Sequence, residues 1–402
     1  MLGHRGGPDK LTQTCDVAVI GAGIVGAACA YELALAGLRV VVVEPNAVGS
    51  GATNLGYGSV CIVDRVPGQL ALTRYGLSLW DKLVEYLPPE CEYARCGTIW
   101  LALDEAQLEE AALKLEFLNQ QGVSAELLDR RQVADAEPGL SGAVTGGLFI
   151  PGDGWLRATR AAEFLLQLAI TKGAKHLTQR AVSIHNREVK LQDGSLLYAG
   201  NAVNAAGGDA ALFTPELPLK YSKGHILVVE ARSRCVHHHL SAIASERQLD
   251  AEACVRFVVY QNSVATGQGD QIRGAQSQAA RIWIGSSSQP VGDPAANLQL
   301  DPKIVGHLLR RAIEFVPAIG QAKPLRSWAG LRVTTADSLP VIGSVDGKDG
   351  VFVATAHDTF GAAAALSTAR LIVDELLCQP PEIDPRPYRA DRFEGTRSSY
   401  AK

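Results

Sequence analysis

Three glycines near the N-terminus have a spacing that could hold a dinucleotide. Gly21, Gly23 and Gly26 form the pattern G-x-G-x-x-G directly after the apolar run 17–20. In this pattern the first glycine permits a tight strand-to-helix turn, the second lets the backbone approach a pyrophosphate, and the third lets the helix pack closely on the strand. The pattern alone is weak evidence, because an ordinary βαβ unit can use glycines for packing only.

The residues around these glycines support the dinucleotide interpretation. An Ala- and Leu-rich stretch, about 24–36, predicts a helix that Gly37 ends, and a second apolar strand, 39–43, leads to Glu44. A carboxylate there can accept hydrogen bonds from a ribose hydroxyl, and its charge argues against a 2′-phosphate and so against NADP. The order and lengths of these elements therefore predict a dinucleotide site.

Small residues dominate the stretch that follows Glu44. Ser50, Gly51, Ala52 and Thr53 lie in it. Such residues leave backbone N–H groups uncovered, which suits the close approach of a cofactor. A flexible surface loop is the alternative.

Composition bounds the class of protein. The chain has 402 residues, of which 47% are hydrophobic and 20% charged, so we expect two domains or one domain with a large insertion. A net charge of −4 and the lack of a basic cluster argue against nucleic acid. No apolar run approaches the ~20 residues that span a bilayer. Residues 1–14 are typical of a disordered tail, not of a signal peptide, so a cytoplasmic protein is expected.

The cysteines and histidines do not predict a metal site. Eight cysteines are scattered, and the nearest pair, Cys91 and Cys96, lacks a second pair at metal-ligand spacing. The run 237–239 is three histidines, which cannot all face one ion on a regular element, so a solvated loop is expected there.

Hydrophobic patterning predicts an α/β fold whose second half is richer in strands. The predicted helices are 67–87, 104–122, 129–138, 156–172, 302–315 and 362–377. The predicted strands are 97–103, 181–184, 189–191, 201–205, 226–230, 255–260, 281–286 and 351–355. The Gln- and Gly-rich segment 267–279 is expected to be a hairpin loop.

Five segments in a fixed order carry a family resemblance. They are the glycine fingerprint, SGAT at 50–53, VNAAG at 203–207, WAGLRVTTADSLPVIG at 328–343 and VFVATAHDTFG at 351–361. Together they resemble the D-amino acid oxidase-like family of flavoproteins over nearly the whole chain. The resemblance implies bound FAD, not NAD, and a Rossmann-like FAD domain built from discontinuous segments beside a β-rich substrate domain. The implied FAD domain is 15–85, 146–215 and 325–380, the substrate domain is 86–145 and 216–324, and 381–402 is a C-terminal tail.

The resemblance also assigns cofactor residues, most of them in or beside these segments. They are Gly21, Gly23, Gly26, Glu44, Ser50, Gly51, Ala52, Thr53, Val182, Ala205, Ala206, Gly207, Gly330, Ala356, His357, Thr359 and Gly361. Val182 falls where the family contacts adenine through its backbone.

Two further assignments concern chemistry at the flavin ring. Arg332 matches the arginine that clamps a substrate carboxylate, a role suited to its planar fork of donors; a structural salt bridge is the alternative. His357 could tune the flavin electrostatically, with simple packing as the alternative. The chain departs from the family pattern at Val333, where Pro is usual, and at Ala356 and Ala369, where Gly is frequent. Because Cys378 lies too late to carry the flavin, the FAD is expected to be non-covalent.

The segment 284–289, IGSSSQ, resembles the FAD subunits of hetero-oligomeric enzymes such as opine oxidase, D-hydroxyproline dehydrogenase and hydrogen cyanide synthase. Such subunits work beside chains that carry a second nucleotide and an iron–sulfur cluster, and some hold FMN at an interface. The implied function is oxidation of the C–N bond of a secondary amine or amino acid by the catalytic subunit of a dehydrogenase. A freestanding oxidase that uses oxygen and an electron-relay or structural subunit are the alternatives.

Overall fold

The computed structural model describes residues 13–63, 65–185, 187–243, 247–248, 254–262, 280–292 and 298–393. The helices are α1 Ile24–Leu35, α2 Ala52–Leu55, α3 Pro67–Leu83, α4 Glu105–Gln120, α5 Arg130–Ala136, α6 Ala158–Thr171, α7 Pro302–Phe315 and α8 Gly361–Leu376. The strands are β1 Gln13–Ile20, β2 Val40–Val43, β3 Ser59–Val60, β4 Thr98–Ala102, β5 Glu126–Asp129, β6 Gly146–Ile150, β7 Gly154–Trp155, β8 Lys175–Leu177, β9 Ala181–His185, β10 Glu188–Leu191, β11 Leu196–Asn204, β12 Lys220–Ala231, β13 His239–Ala242, β14 Arg247–Gln248, β15 Cys254–Gln261, β16 Ala280–Val291, β17 Lys323–Thr334, β18 Val341–Ser344 and β19 Val351–Thr355.

The first sheet is built around parallel strands from distant parts of the chain. Its order is β18-β19-β11-β1-β2-β8, and the β9–β10 hairpin extends it from β11. Strands β1, β2, β11, β19 and β8 run parallel, with Ile20 opposite both Val43 and Asn204. The apolar runs 17–20 and 40–43 are buried, as parallel strands covered on both faces require. Their carboxyl ends therefore meet at one edge of the sheet.

Helices α1 and α8 pack against each other beside the first sheet, and α3 packs against α8. A Cβ on Gly76 of α3 would lie 2.0 Å from the carbonyl oxygen of Ala363 in α8, so only glycine allows this helix crossing. The indole N–H of Trp80 donates to the carbonyl oxygen of Ala362 over 2.9 Å. Two residues of α3 thereby fix the start of α8.

The second sheet is mainly antiparallel. Its order is β17-β12-β16-β15-β13-β4-β6-β5, with β14 paired to β15, and only β13 and β4 among these pairs run parallel. Helix α7 covers one face and packs Phe315 on Phe257, with ring centroids 4.1 Å apart. The short ribbon of β3 and β7 lies apart from both sheets.

Most predicted elements are confirmed. The bounds of α7 and β19 agree with the prediction, α1 ends one residue earlier, and the helix expected at 67–87 ends at Leu83 before a 3₁₀ turn. The strands predicted within 226–230, 255–260 and 281–286 are longer in the structure, because β12, β15 and β16 pair along most of their length. The predicted loop 267–279 lies outside the described residues.

Sheet membership departs from the predicted domain division at two places. The predicted division puts β6 in the first domain, but this strand pairs with β4 and β5 of the second sheet. The predicted boundary at residue 325 also separates β17 from the second sheet, yet β17 pairs with β12 over its whole length. Elsewhere the division stays a prediction.

The predicted tails are shorter than expected within the described part of the chain. Residues 13 and 14 already belong to β1, where they pair with β11. Beyond α8, the chain to residue 393 packs back on the protein, with Tyr388 and Phe393 buried. The Tyr388 hydroxyl donates to the carbonyl oxygen of Gly68 over 2.7 Å. Buried aromatic side chains thus hold 381–393 against the protein, although the prolines and charged residues of this segment predicted a free tail.

Candidate active site

A cavity of about 790 Å³ lies between the two sheets. Residues at the carboxyl ends of the parallel strands line one side, and residues of the second sheet line the other. Ligands of open α/β sheets bind outside the carboxyl ends of the strands, at the point where the strand order reverses. The cavity is therefore the candidate active site.

The first side is lined mainly by backbone and small side chains, and we name it the small-residue wall. It comprises residues 20, 21, 23, 24, 50–53, 205–207 and 354–361. Gly21 has a φ of +102°, and a Cβ on it would lie 2.6 Å from the carbonyl oxygen of Ala205. A Cβ on Gly26 would lie 2.1 Å from the carbonyl oxygen of Gly21. Both positions thus require glycine for the turn and for the contact between helix and strand.

The N-terminus of α1 opens on this wall. Its N-cap is Gly23, which provides no side-chain cap, and the N–H of Ile24 donates to Thr53 Oγ1 over 3.0 Å. A Cβ on Gly23 would meet nothing nearer than Thr53 Oγ1 at 3.3 Å. A helix N-terminus attracts an anion, and glycine lets the anion come close to the backbone. This part of the wall fits the pyrophosphate of FAD.

Glu44 is held by two backbone donors at the end of β2. Its Oε2 accepts from the N–H of Ala22 over 3.0 Å, and its Oε1 accepts from the N–H of Asn46 over 2.9 Å. A carboxylate offers about four lone pairs, so it can still accept a bond from a ribose hydroxyl. The carboxylate lines the cavity, as the ribose assignment requires.

The structure brings most of the predicted site residues to one cavity. Those lining it are Gly21, Gly23, Glu44, Ser50, Gly51, Ala52, Thr53, Ala205, Ala206, Gly207, Gly330, Arg332, Ala356, His357, Thr359 and Gly361. Gly26 lies behind the wall, where it permits packing. Val182 is outside the lining and 46% exposed, whereas Arg180 and Ala181 beside it reach the cavity. The roles of these residues toward FAD stay predictions.

The opposite side presents polar and charged side chains, and we name it the polar wall. It comprises Tyr57, Cys61, Arg65, His239, Ser286 and Arg332. Arg332, on β17, donates from Nη1 to the carbonyl oxygen of Ser287 over 2.7 Å. Burial lowers its pKa, the Asp358 charge opposes that shift, and the guanidinium stays charged. Within the described residues Arg332 has no ion pair, so the salt-bridge alternative finds no partner there.

A buried histidine supports Arg332 from behind. The backbone N–H of His225 donates to Ser287 Oγ over 2.9 Å, and its Nδ1 lies 2.8 Å from the same oxygen. Because Nε2 accepts from the N–H of Asp301 over 3.1 Å, the proton of the neutral ring belongs on Nδ1, which donates to Ser287. Burial, together with the Lys223 charge, lowers the pKa of His225 to about 4. An uncharged ring therefore fixes the serine whose carbonyl holds Arg332.

His357 has a structural partner. Its Nε2 lies 2.8 Å from Thr368 Oγ1 in α8, and burial lowers its pKa to about 3. The ring is therefore neutral near neutral pH and cannot act on a flavin as a cation. This geometry favours the packing alternative, in which His357 fixes the turn between β19 and α8.

Sequence reasoning missed His239. The expectation of a solvated loop at 237–239 is wrong at His239, which starts β13 and pairs with Thr98 of β4, whereas 237 and 238 precede the strand and are half-buried. Its Nδ1 lies 3.3 Å from Thr98 Oγ1, its ring meets Tyr57 edge-on at 5.6 Å, and burial lowers its pKa to about 4. Its neighbour His238 bonds to the buried Glu137 through Nδ1 over 2.8 Å. Only strand pairing across the sheet reveals these partners.

Two kinds of feature are absent from the described residues. They contain no group of three or more His, Cys, Asp or Glu side chains arranged to hold a metal ion. None of the helices in this part of the chain combines the length and apolar character needed to cross a bilayer.

Comparison with known proteins places the chain in a family. Residues 16–375 match the family described as FAD dependent oxidoreductase. The chain is 28% identical to glycine oxidase of Geobacillus kaustophilus, covering 96% of this chain and 99% of the relative, and 25% identical to a subunit of opine oxidase from Rhizobium meliloti, covering 95% and 99%. The crystal structure of glycine oxidase from Geobacillus kaustophilus superposes with a TM-score of 0.80 at 25% identity, covering 95% of this chain and 99% of that one.

These matches agree with the cavity geometry. The matched range contains the glycine turn at 21–26, Glu44 at the end of β2, and the segments 205–207 and 354–361 that follow β11 and β19. The chain belongs to the FAD dependent oxidoreductase family, as the five segments predicted.

Proposed function

We propose that this protein, an FAD-dependent oxidoreductase of the amine and amino-acid oxidase type, oxidises the C–N bond of a secondary amine or amino acid that carries a carboxylate. The candidate substrates are opines, D-hydroxyproline and similar imino acids. The observation that carries the proposal is Arg332, which lines the same cavity as the glycine turn and has no ion pair among the described residues. A guanidinium in that position suits a bidentate carboxylate.

The chain's own residues would bind and orient the reactants. The small-residue wall would hold FAD without a covalent bond, with the α1 N-terminus at the pyrophosphate and Glu44 at a ribose. Bound FAD supplies the hydride acceptor. Arg332 would fix the substrate carboxylate and so place the Cα–H, while the enclosing sheets exclude water. No acid–base pair is required of the protein, because the amine reacts in its neutral form.

The same arrangement bears on the two alternatives. An electron-relay subunit without a substrate site has no use for a guanidinium held at the cavity by Ser287. The freestanding oxidase differs only in the electron acceptor. The proposal favours a catalytic subunit, supported by the resemblance of 284–289 and by the relative that is named as a subunit of opine oxidase. Partner chains would carry a second nucleotide and an iron–sulfur cluster, and FMN would lie at an interface.

Anaerobic reduction of the bound flavin tests the activity. The purified holoenzyme is mixed with secondary amino acids, opines and D-imino acids, each beside its decarboxylated amine, and the loss of yellow colour is followed by stopped flow. We expect bleaching by the carboxylated member of at least one pair and much slower bleaching by its amine. Equal rates within every pair would contradict a carboxylate-binding site.

Two further measurements address the state of the enzyme. Acid or heat should release FAD into the supernatant; flavin retained in the pellet would mean a covalent link. When the protein is expressed from its native gene context, partner chains should co-purify with it. A fully active monomer with fast oxygen turnover would instead support the freestanding oxidase.

A further inference from the structure

One aromatic side chain enters the polar wall from the loop between α2 and β3. This residue, Tyr57, lines the cavity. Its hydroxyl donates to the carbonyl oxygen of Trp283 over 3.0 Å, and its own carbonyl oxygen accepts from the indole N–H of Trp155 over 2.6 Å. The edge-on contact with the His239 ring, 5.6 Å between centroids, adds a third point of support. The Tyr57 side chain is therefore held at both ends and along its ring.

The backbone of β16 lies directly beneath the Tyr57 ring. A Cβ added to Gly285 would lie 3.6 Å from Tyr57 Cδ2 and 3.8 Å from its Cε2, which is ordinary van der Waals contact. The same Cβ would lie 3.9 Å from Ile226 Cγ1 of β12. The ring thus lies on the cavity face of the second sheet, over the place where Gly285 and Ile226 are neighbours.

Strand geometry relates this ring to the guanidinium of Arg332. A Cβ added to Gly224 would lie 2.6 Å from Arg332 Cζ, so the guanidinium lies over Gly224, two residues before Ile226 on β12. Ser287, whose carbonyl oxygen holds Arg332, lies two residues after Gly285 on β16. Because β12 and β16 run antiparallel, the two offsets point in the same direction. Two residues of a strand span about 7 Å, which is the separation of the two groups along the sheet.

This separation limits what can bind between the two groups. A carboxylate bound by both arms of a guanidinium places its carbon about 4 Å from Cζ, given N–H···O distances of about 2.8 Å. About 3 Å then remains, which is less than the ~3.5 Å of a carbon–carbon contact. The atom that bears the carboxylate must therefore lie beside the Tyr57 ring, and its substituents must pass along the ring.

We infer that Tyr57 is a specificity-determining residue, whose ring limits the bulk on the atom that bears the substrate carboxylate. This inference rests on the proposed function, because it takes the carboxylate to lie at Arg332. It adds to that function the surface that selects among carboxylates. The ring selects by shape alone, since the proton of its hydroxyl is donated to Trp283 and away from the ligand.

Carboxylates that carry no amine test the inference by binding alone. Cyclopropanecarboxylate is compact at the atom that bears the carboxylate, cyclohexanecarboxylate is bulky there, and both are titrated into the holoenzyme by calorimetry. The wild type should bind the compact ligand more tightly. Tyr57→Ala should shift the ratio of the two dissociation constants roughly 10- to 200-fold toward the bulky ligand, the range that added carbon covers in a fixed apolar pocket. Tyr57→Leu should shift the ratio in the same direction by less, and it carries the test if Tyr57→Ala does not fold.

Two control variants separate the ring from other effects. Tyr57→Phe keeps the ring and removes only the hydroxyl, so the wild-type ratio should remain. Tyr86 is a surface tyrosine, 69% exposed and outside the cavity lining, and Tyr86→Ala should leave both dissociation constants unchanged. A wild-type ratio in both Tyr57→Ala and Tyr57→Leu would overturn the inference. So would a shift in Tyr57→Phe or Tyr86→Ala as large as that in Tyr57→Ala.

Arg332→Ala distinguishes a failure of this inference from a failure of the proposed function. Loss of the guanidinium should weaken both carboxylates by a similar factor and leave their ratio unchanged. If Arg332→Ala abolished binding but the ratio did not depend on Tyr57, the inference would fall and the proposed function would stand. If both ligands bound Arg332→Ala as tightly as the wild type, and the ratio still depended on Tyr57, the proposed function would fall instead.

Discussion

The two walls of the cavity are built by different means. On the small-residue wall the backbone makes the contacts, and behind it a Cβ added to Gly26 would lie 2.1 Å from the carbonyl oxygen of Gly21. On the polar wall a side chain makes each contact, and a second residue holds it: Ser287 holds Arg332, and Thr98 contacts His239. At Gly21 and Gly26 the first side of the cavity therefore tolerates no extra volume, whereas the side chains of the polar wall can shift at the cost of alignment.

The largest effect is expected from a methyl group directly behind the small-residue wall, at Gly26. Gly26→Ala places a Cβ against backbone that cannot move, so we expect a loss of at least about 3 kcal/mol of stability and little bound FAD, beyond ordinary overpacking. The measurements are the thermal midpoint and the flavin content after acid release. Gly306 in α7 is the matched control, since its Cβ would meet only the Arg310 side chain at 3.6 Å. If Gly26→Ala kept the flavin content of the wild type, the two sides of the cavity would not differ in their tolerance of added volume.

Removing the guanidinium of Arg332 from the polar wall should affect turnover without affecting the cofactor. Arg332→Ala should lower kcat/KM for a carboxylate substrate by roughly 30- to 5000-fold, or about 2–5 kcal/mol, with FAD content unchanged. Arg332→Lys should recover only part of the activity. Steady-state kinetics with the decarboxylated amine provide the control, because that substrate never used the guanidinium. An equal loss on both substrates would mean that Arg332 holds the fold or the flavin.

A methyl group on the polar wall should have a smaller effect and one of a different kind. A Cβ on Gly224 would lie 2.6 Å from Arg332 Cζ, the end of a flexible side chain. Gly224→Ala should therefore displace the guanidinium and lower kcat/KM roughly 10- to 100-fold, as misplacement by about 1 Å does. The flavin content and thermal midpoint should stay near those of the wild type. If this variant lost its flavin, both walls would be equally rigid.

Acid should weaken the support of the polar wall gradually. His225 has an ordinary pKa of 6.5 that falls to about 4 in the folded protein. Below pH 6.5 His225 is protonated in the unfolded chain but stays neutral in the folded protein. Its contribution to the free energy of unfolding is therefore complete above pH 6.5 and is lost as the pH falls through about 4. The thermal midpoint should fall between about pH 7 and about pH 5, and less steeply in His225→Asn.

The two walls also differ in how far sequence predicts them. Gly21, Gly23, Gly26 and Glu44 lie within one strand-helix-strand unit, so their spacing fixes their geometry and the interpretation needs no distant contact. Arg332 was found only through its G-L-R context in a family pattern.

The partners of the polar wall could not be predicted from sequence. His225, Ser287 and Asp301 form one hydrogen-bonded chain, but the sequence places them on separate elements with no shared motif. Arg65 follows a two-residue strand and belongs to no pattern. His239 was misplaced because a run of histidines is polar, whereas pairing with β4 buries it. Such contacts depend on which strands become neighbours, and local patterning does not specify that.

The position of β11 between β1 and β19 has a consequence for how the protein is made. Asn204 lies opposite Ile20 on one side and Val353 on the other, so the first sheet joins the beginning, the middle and the end of the described chain. Contacts between residues so distant in sequence form slowly, because the loop-closure entropy is lost before the pairing is gained. During synthesis the ribosome must release β19 before the sheet is complete. The wall that is expected to hold FAD is therefore complete only after β19 has joined the sheet, which places cofactor binding late in maturation.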